Sequence, residues 1–467
     1  MSEENNRQDR PTIPTRSLPV RPNLDQLKHQ AKDLLRDIRR GDRAAIEEFN
    51  SFHPKPIPLD ERAEEASTPK LRAGETPAVP VTGGPMAARI GNIKLADTQL
   101  ALARSYEAAS WPRLVQCCKL IDAIWRDDVD AVRDLVVKHP NLLHENAGIR
   151  NNNWGPPMSY AANLGRDQII MMLYELGATD LKSAIDRAVL QSKIGTARML
   201  NEWLGSPRPD EGALSGAAYT LSVSGTALML ELGAQVRDAS GRRLAPVDVV
   251  LETDSRKPSA KHEILELYVQ HGLELPDTPT MALHRGRLDL LEDHLRRDSR
   301  LLQRTFTHDE IYPPELGCHD DVQATQGTPL AGTTLLHMCA DYDEIEIAQW
   351  LLEHGMDPDA KAAVNADGFG GHTPLFATVV SQPNFWMNYG GEVQVATFTQ
   401  LLLDHGADPN ARASLRKQLH PGYGPKYDVE LHEYRDITPL SWGRRFHAKV
   451  FVSEPAMRLI EKRGGKE

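Results

Sequence analysis

Apolar residues recur along most of this chain in short bursts at helical spacing, two bursts at a time, each pair closed by a glycine. The clearest copies are TLLHMCADYDEIEIAQWLLEHGMDPDA from Thr334 and TPLFATVVS from Thr373, the latter continuing after an interruption as VATFTQLLLDHGADPNA. Both close on LL-x-HG-x-DP-x-A. Thr334 to Gly355 spans 21 positions, and so does Pro156 to Gly177 in PPMSYAANLGRDQIIMMLYELGA. Thr373 to Gly406 spans 33, which places an insertion of 12 residues around 382–394. The spacing predicts a Thr-anchored turn, a short helix, and a second helix with paired leucines, Leu351 and Leu352 or Leu402 and Leu403. Gly355 and Gly406 stand where a helix ends on a left-handed residue. Neither short helix can bury its stripe alone, so each pair must pack on its neighbours, and small alanines such as Ala161 and Ala162 let the layers approach.

The same cadence, degraded, runs through Leu120–Leu143, Ser183–Leu204, Gly212–Ala234, Ala245–Gly272 and Thr280–Leu302. TTLLHMCA, GHTPLFA, ITPLSW and GADPN resemble the ankyrin repeat, whose unit of ~33 residues is a turn plus two antiparallel helices carrying T-P-L-H-x-A. The resemblance is closest over 331–464 and good over 152–178. It implies an all-α, ankyrin-type helical solenoid of about nine units, several of them degenerate.

Toward the amino terminus, Asn23 can cap a helix LDQLKHQAKDLLRDIRR that stops at Gly41, with Leu24, Leu27, Ala31, Leu34, Leu35 and Ile38 on one face. The expected organisation is a disordered tail over 1–20, an amino-terminal helical cap over 21–53, a Pro-rich linker over 54–93, a connecting helix over 94–114 and the repeat array over 115–467. Insertions are expected at 305–331, 382–394 and 414–436. The pair NLDQLKHQAKDLL and ADTQLALARSYEAASWPRL is similar to the entry region of bacterial ankyrin-repeat proteins of undefined function, a likeness that assigns no activity.

Composition changes the picture in two ways. Hydrophobic content of 40% with only 6% aromatics suits thin helical layers. A formal charge of −11, from 54 basic and 65 acidic residues, opposes phosphate, so neither nucleic acid nor an anionic membrane is the expected partner. Cys117, Cys118, Cys318 and Cys339 follow no disulfide or zinc spacing. No stretch approaches the ~18 apolar residues of a membrane span, and a cytoplasmic location is expected.

Candidate chemistry is sparse. The chain has no G-x-S-x-G elbow and no phosphate-loop or dinucleotide fingerprint, and no catalytic residue, metal ligand or cofactor is assigned. His337 is expected to order its turn by hydrogen bonding. His308, Cys318, His319, Asp320 and Asp321 are metal-ligating types without a fixed short spacing, better read as a solvated loop. Lys28, Lys32, Arg36 and Arg40 form a basic stripe interleaved with Asp33, Asp37 and Asp42, which local ion pairing explains. Two insertions are aromatic: Phe385, Trp386 and Tyr389 in one, Tyr423, Tyr427 and Tyr434 in the other. Such rings dominate interface hot spots, or else fold back to seal their own repeats.

The expected function is therefore a non-catalytic scaffold that holds an unidentified protein partner through its concave face and these aromatic insertions. The competing reading is an enzyme, or a small-molecule or metal sensor, with its site built from the histidine-rich and aromatic insertions.

Overall fold

The computed structural model describes residues 16, 18–58, 85–149, 154–253, 255–319, 327–384, 395–419 and 430–467. The chain divides into two compact units, one of Met1–Ala188 with Gly195–Ser206, the other of Val189–Ile194 with Pro207–Glu467.

In the first unit, Asn23 caps α1 (Leu24–Arg39) by accepting from the amides of Asp25 and Gln26. α2 (Arg43–Phe52) follows after Asp42 accepts from the Ala45 amide. The expected linker is not one throughout: it closes with α3 (Pro85–Asn92), and Ile57, Ile90 and Ile93 are seated with Leu34, Ile38, Ile46 and Phe49 in one core. Burial of these apolar side chains holds the described ends of the stretch, around Ile57 and from Ile90 to Ile93, against the core. Leu27 and Ala31 of α1 pack instead with Leu102 and Ala103 of α4 (Leu95–Ser105) and Leu114 of α5 (Trp111–Trp125). The basic stripe pairs locally, Lys28 with Asp25 and Arg36 with Asp33 and Asp37. Helices α6 (Val129–Lys138), α7 (Pro157–Leu164) and α8 (Asp167–Glu175) continue the pairs, and Ala161 and Ala162 have no solvent exposure. α9 (Leu181–Leu190) and α10 (Ile194–Trp203) flank the chain division.

The second unit repeats the pairing in α11 (Ser215–Tyr219) and α12 (Val223–Glu231), α13 (Val247–Glu252) and α14 (Pro258–Gln270), and α15 (Pro279–His284) and α16 (Leu288–Arg297). After α17 (His308–Ile311) come α18 (Leu335–Tyr342) with α19 (Ile345–Glu353), α20 (Pro374–Val379) with α21 (Thr397–Asp404), and α22 (Pro439–Arg445) with α23 (Glu454–Lys462). A Thr-Pro step opens α15, α20 and α22. Threonine takes the extended position before the helix, and proline occupies the first turn, where its missing N–H costs nothing. α18 is buried on every side, whereas α19 buries only Ile347, Ala348, Leu351 and Leu352. Gly355 closes α19 at φ +90, and the next amide, from Met356, returns to the Leu351 carbonyl at 3.0 Å.

The structure corrects the all-helical expectation at one place. Residues of the insertion at 414–436 form an antiparallel pair, β1 (Ala413–Lys417) with β2 (His432–Ile437), Leu415 facing Tyr434 and Lys417 facing His432. Alternating burial along Ala413, Leu415 and Lys417 gives β1 a period of two, not the helical period of the repeats.

Candidate functional site

The turn that opens α18 is held by a histidine. The Nδ1 of His337 accepts from the Thr334 amide at 3.3 Å and lies 2.9 Å from the Thr334 hydroxyl, while its Nε2 donates to the His372 carbonyl at 3.0 Å. Nε2 of His372 in turn donates to the Pro329 carbonyl at 3.0 Å. Both rings are buried, and burial first, then the neighbouring His372 for His337, pushes them down to about 3 and about 4. They are neutral spacers that tie one repeat turn to the next.

From these turns the backbone extends into fingers that bond edge to edge. Phe306 and Thr333 exchange one link, Gly332 donates to Phe306, Ala363 donates to Gly332 at 2.7 Å, and Gly370 and Ser414 bond reciprocally. β1 and β2 extend the row. On its outer side Phe369 lies under two guanidiniums, Arg416 at 4.0 Å and Arg435 at 4.3 Å from the ring centroid. Arg416 also bridges Asp367 and Glu433. Val364, at a finger tip, is 62% exposed.

Of the six aromatic candidates, Phe385, Trp386, Tyr389, Tyr423 and Tyr427 lie outside the described residues. Tyr434 is buried: its ring meets Trp442 edge-on at 4.8 Å and its hydroxyl lies 2.6 Å from Nδ1 of His447. This ring seals its own repeat.

The stretch 305–319 is not a solvated loop. Thr307 caps α17 with Glu310 reciprocating, and Ile311, Tyr312, Leu316 and Cys318 are buried. His319 is exposed and its amide donates to Glu252. Among the described residues no group of three or more His, Cys, Asp or Glu side chains is placed to hold a metal, and Asp320 and Asp321 lie outside them. Burial pushes the Cys117 and Cys118 thiols up to about 12 and about 11, so neither is a ready nucleophile.

The structure also gathers a charged cluster that the sequence did not announce. Arg256 pairs with Asp341 at 3.2 Å and Lys261 with Glu344 at 2.8 Å, with all four side chains almost wholly removed from solvent. Both cations stand over the Tyr342 ring, Lys261 Nζ at 4.0 Å and Arg256 Cζ at 4.3 Å. The Tyr342 hydroxyl donates to the Leu251 carbonyl and lies 2.9 Å from the Tyr312 hydroxyl. Burial raises Asp341. It would raise Glu344 too, but Lys261 and His262 together hold that carboxyl below its ordinary value. Partners 80 to 90 positions apart in sequence leave no local spacing to detect.

Residues 331–363 match the ankyrin repeat family model, so the chain contains an ankyrin repeat. Among solved structures, the human ASB11 ankyrin repeat domain aligns at 15% identity and a TM-score of 0.25, covering 67% of this chain and 99% of that one. The ankyrin repeat domain of Bcl-3, a member of the IkappaB protein family, aligns at 15% identity and a TM-score of 0.22, covering 61% and 99%. TM-scores this low leave the arrangement of the repeats to be read from this chain itself. No curated protein matches the sequence. Among the described residues no helix is long and apolar enough to cross a membrane.

Proposed function

We propose that this chain is a non-catalytic scaffold that holds a protein partner on the finger row of its second unit. Ankyrin repeats mediate protein–protein contact in general, and the observation that supports this surface is the row itself. Successive fingers from Phe306 to Ile437 are locked to one another by backbone bonds, and they present Val364 among the paired charges of Asp367, Arg416, Glu433 and Arg435. A preorganised apolar contact inside a charged rim is what a protein interface needs, because little ordering entropy remains to be lost on binding. The aromatic insertion at 382–394 leaves the same unit and is proposed as a second contact.

A photo-crosslinking residue placed at Val364 in the native host tests this, with the same residue at the equally exposed Val137 of α6 as control. The expected outcome is a discrete crosslinked protein from position 364 only, lost when Phe385, Trp386 and Tyr389 are changed to alanine without change in melting. Identical products from both positions, or none from 364, would remove the proposal.

A further inference from the structure

A strap of the chain's own amino-terminal segment lies across an aromatic corner of the first unit. The corner is Trp125 of α5, Trp154 in the turn before α7, and Tyr160 of α7; the Trp154 ring lies 6.5 Å from Trp125 and 4.7 Å from Tyr160 between centroids. The Trp125 indole N–H donates to the Tyr160 hydroxyl at 3.3 Å, and that hydroxyl donates to the Val20 carbonyl. The first bond uses a lone pair of the hydroxyl oxygen and leaves its proton for the strap. One residue on, the Arg21 guanidinium stands 5.6 Å from the Trp125 ring centroid and donates to Asp122 Oδ1 at 2.8 and 3.2 Å. Asp122 and Trp125 are three positions apart on α5, so carboxylate and ring share one face of the helix.

These groups read an arginine and the carbonyl before it. A ring face joined to a carboxylate suits the flat, weakly hydrated guanidinium better than an ammonium. The Tyr160 hydroxyl reads backbone and so accepts any side chain at the preceding position; Val20 there is 46% exposed. Pro19 and Pro22 flank the pair. They bring no N–H that would need a partner, and they stiffen the segment before it docks.

Little holds the strap in place. Upstream, the Arg16 amide donates to the Ser105 carbonyl at 2.6 Å, its guanidinium pairs with Glu48, and Leu18 packs at the rim of a core cluster. The side chains of Arg21 and Asp122 are 49% and 42% exposed, so water and salt screen their attraction. Asp122 is not stranded when Arg21 leaves, because its Oδ2 also accepts from Arg126 at 3.0 Å. Nor does the strap fill its groove. A cleft of about 400 Å³ lies against Arg21 and Pro22, with Cys118 and Lys119 of α5 on its other side. Its charged lining is Arg21 and Lys119 with Asp25 and Asp122, two of each sign, which suits neutral side chains after the arginine.

We infer that Asp122, Trp125 and Tyr160 form a docking site for an arginine–proline segment of a partner protein, and that residues 18–22 occupy it in cis as a displaceable guard. The partner supplies an arginine followed by proline, with the carbonyl before the arginine free to accept from Tyr160. An occupant on a short tether is present at an effective concentration on the order of millimolar, so a partner binds well only once the strap is out. This site lies in the first unit and does not rest on the finger row.

The test uses the full chain and a dye-labelled synthetic peptide, RSLPVRPN, the sequence of residues 16–23, read by fluorescence anisotropy at about 0.15 M salt. Arg21→Glu sets a like charge beside Asp122 and expels the strap. That variant should bind the peptide with a Kd on the order of 100 µM or tighter, at least about tenfold tighter than wild type. Alanine in place of the peptide's second arginine should abolish binding, and alanine in place of its first should not. Tyr160→Phe added to Arg21→Glu keeps the ring, removes the donor and should weaken binding about fivefold. The proposal is overturned if the peptide fails to bind the Arg21→Glu chain, binds wild type as tightly, or is bound unchanged after Tyr160→Phe. Equal loss on replacing either arginine overturns it too, since net charge would then explain the attraction. So does an Arg21→Glu chain that melts more than about 5 °C below wild type, because the strap would be part of the core. A wild-type dimer in sedimentation that Arg21→Glu dissociates would assign the groove to the strap of a second copy, and also overturns it.

Discussion

His337 and His372 are imidazoles in a dry interior, so taking up a proton means placing a charge among apolar side chains. Their folded values of about 3 and about 4 lie below the ordinary 6.5 of the unfolded chain. Below pH 6.5 the unfolded state therefore binds protons that the folded state refuses, and stability falls as pH drops toward 4, by up to ~1.4 kcal/mol per pH unit for each ring. Above pH 6.5 the two rings contribute no slope. Urea midpoints at pH 7 and pH 5 should show this loss, and His337→Gln should flatten it while lowering stability at pH 7. A midpoint that does not fall between those two values would contradict neutral, buried rings. The role of His337 was legible in the sequence because its turn signature is local. The link from His372 to Pro329 was not, because it depends on a carbonyl 43 positions away.

At the scale of the element, helix ends and finger turns ask different things of glycine. Gly355 ends α19 in the left-handed region with open space around it, so Gly355→Ala should cost only the backbone strain, about 1 kcal/mol. Gly370 also has positive φ, and a side chain there would collide with the Ala363 carbonyl of the neighbouring finger strand. Gly370→Ala should therefore cost ~3 kcal/mol or more, as strain and clash combine and the bonds to Ser414 loosen. Equal denaturation midpoints for the two variants would show that the fingers are not held as described. The sequence marked Gly355 plainly through its repeat spacing. Gly370 carried no such mark, since what crowds it is another strand of the finger.

On the scale of the whole molecule, the buried ion pairs join elements from different repeats within the second unit. Lys261 on α14 meets Glu344 at the start of α19, and Arg256, just before α14, meets Asp341 on α18. Lys261→Met leaves Glu344 buried with only His262 beside it, and should cost about 3–5 kcal/mol. Adding Glu344→Gln should recover most of that loss, because the uncompensated charge is gone. A single variant as stable as wild type, or a double variant no better than the single, would mean the pair is solvated in solution.

The sequence by itself determined the helix pairs, their Thr-Pro starts, their glycine ends and the places where the repeat is interrupted. All of these rest on interactions within a few residues and on the helical period of apolar side chains. It also suggested that 54–93 is a linker and that 414–436 is an aromatic insertion whose rings either bind a partner or seal their own repeats. The structure instead buries Ile57, Ile90 and Ile93 and turns Tyr434 inward, because apolar side chains next to a repeat core lower their free energy by entering it. Only the tertiary structure decided which turns bond into one row of fingers, and that Gly327 and Gln382, from two separate insertions, come together at Asp341. Burial and long-range electrostatics act between residues that chain order keeps apart, so no spacing along the sequence could display them.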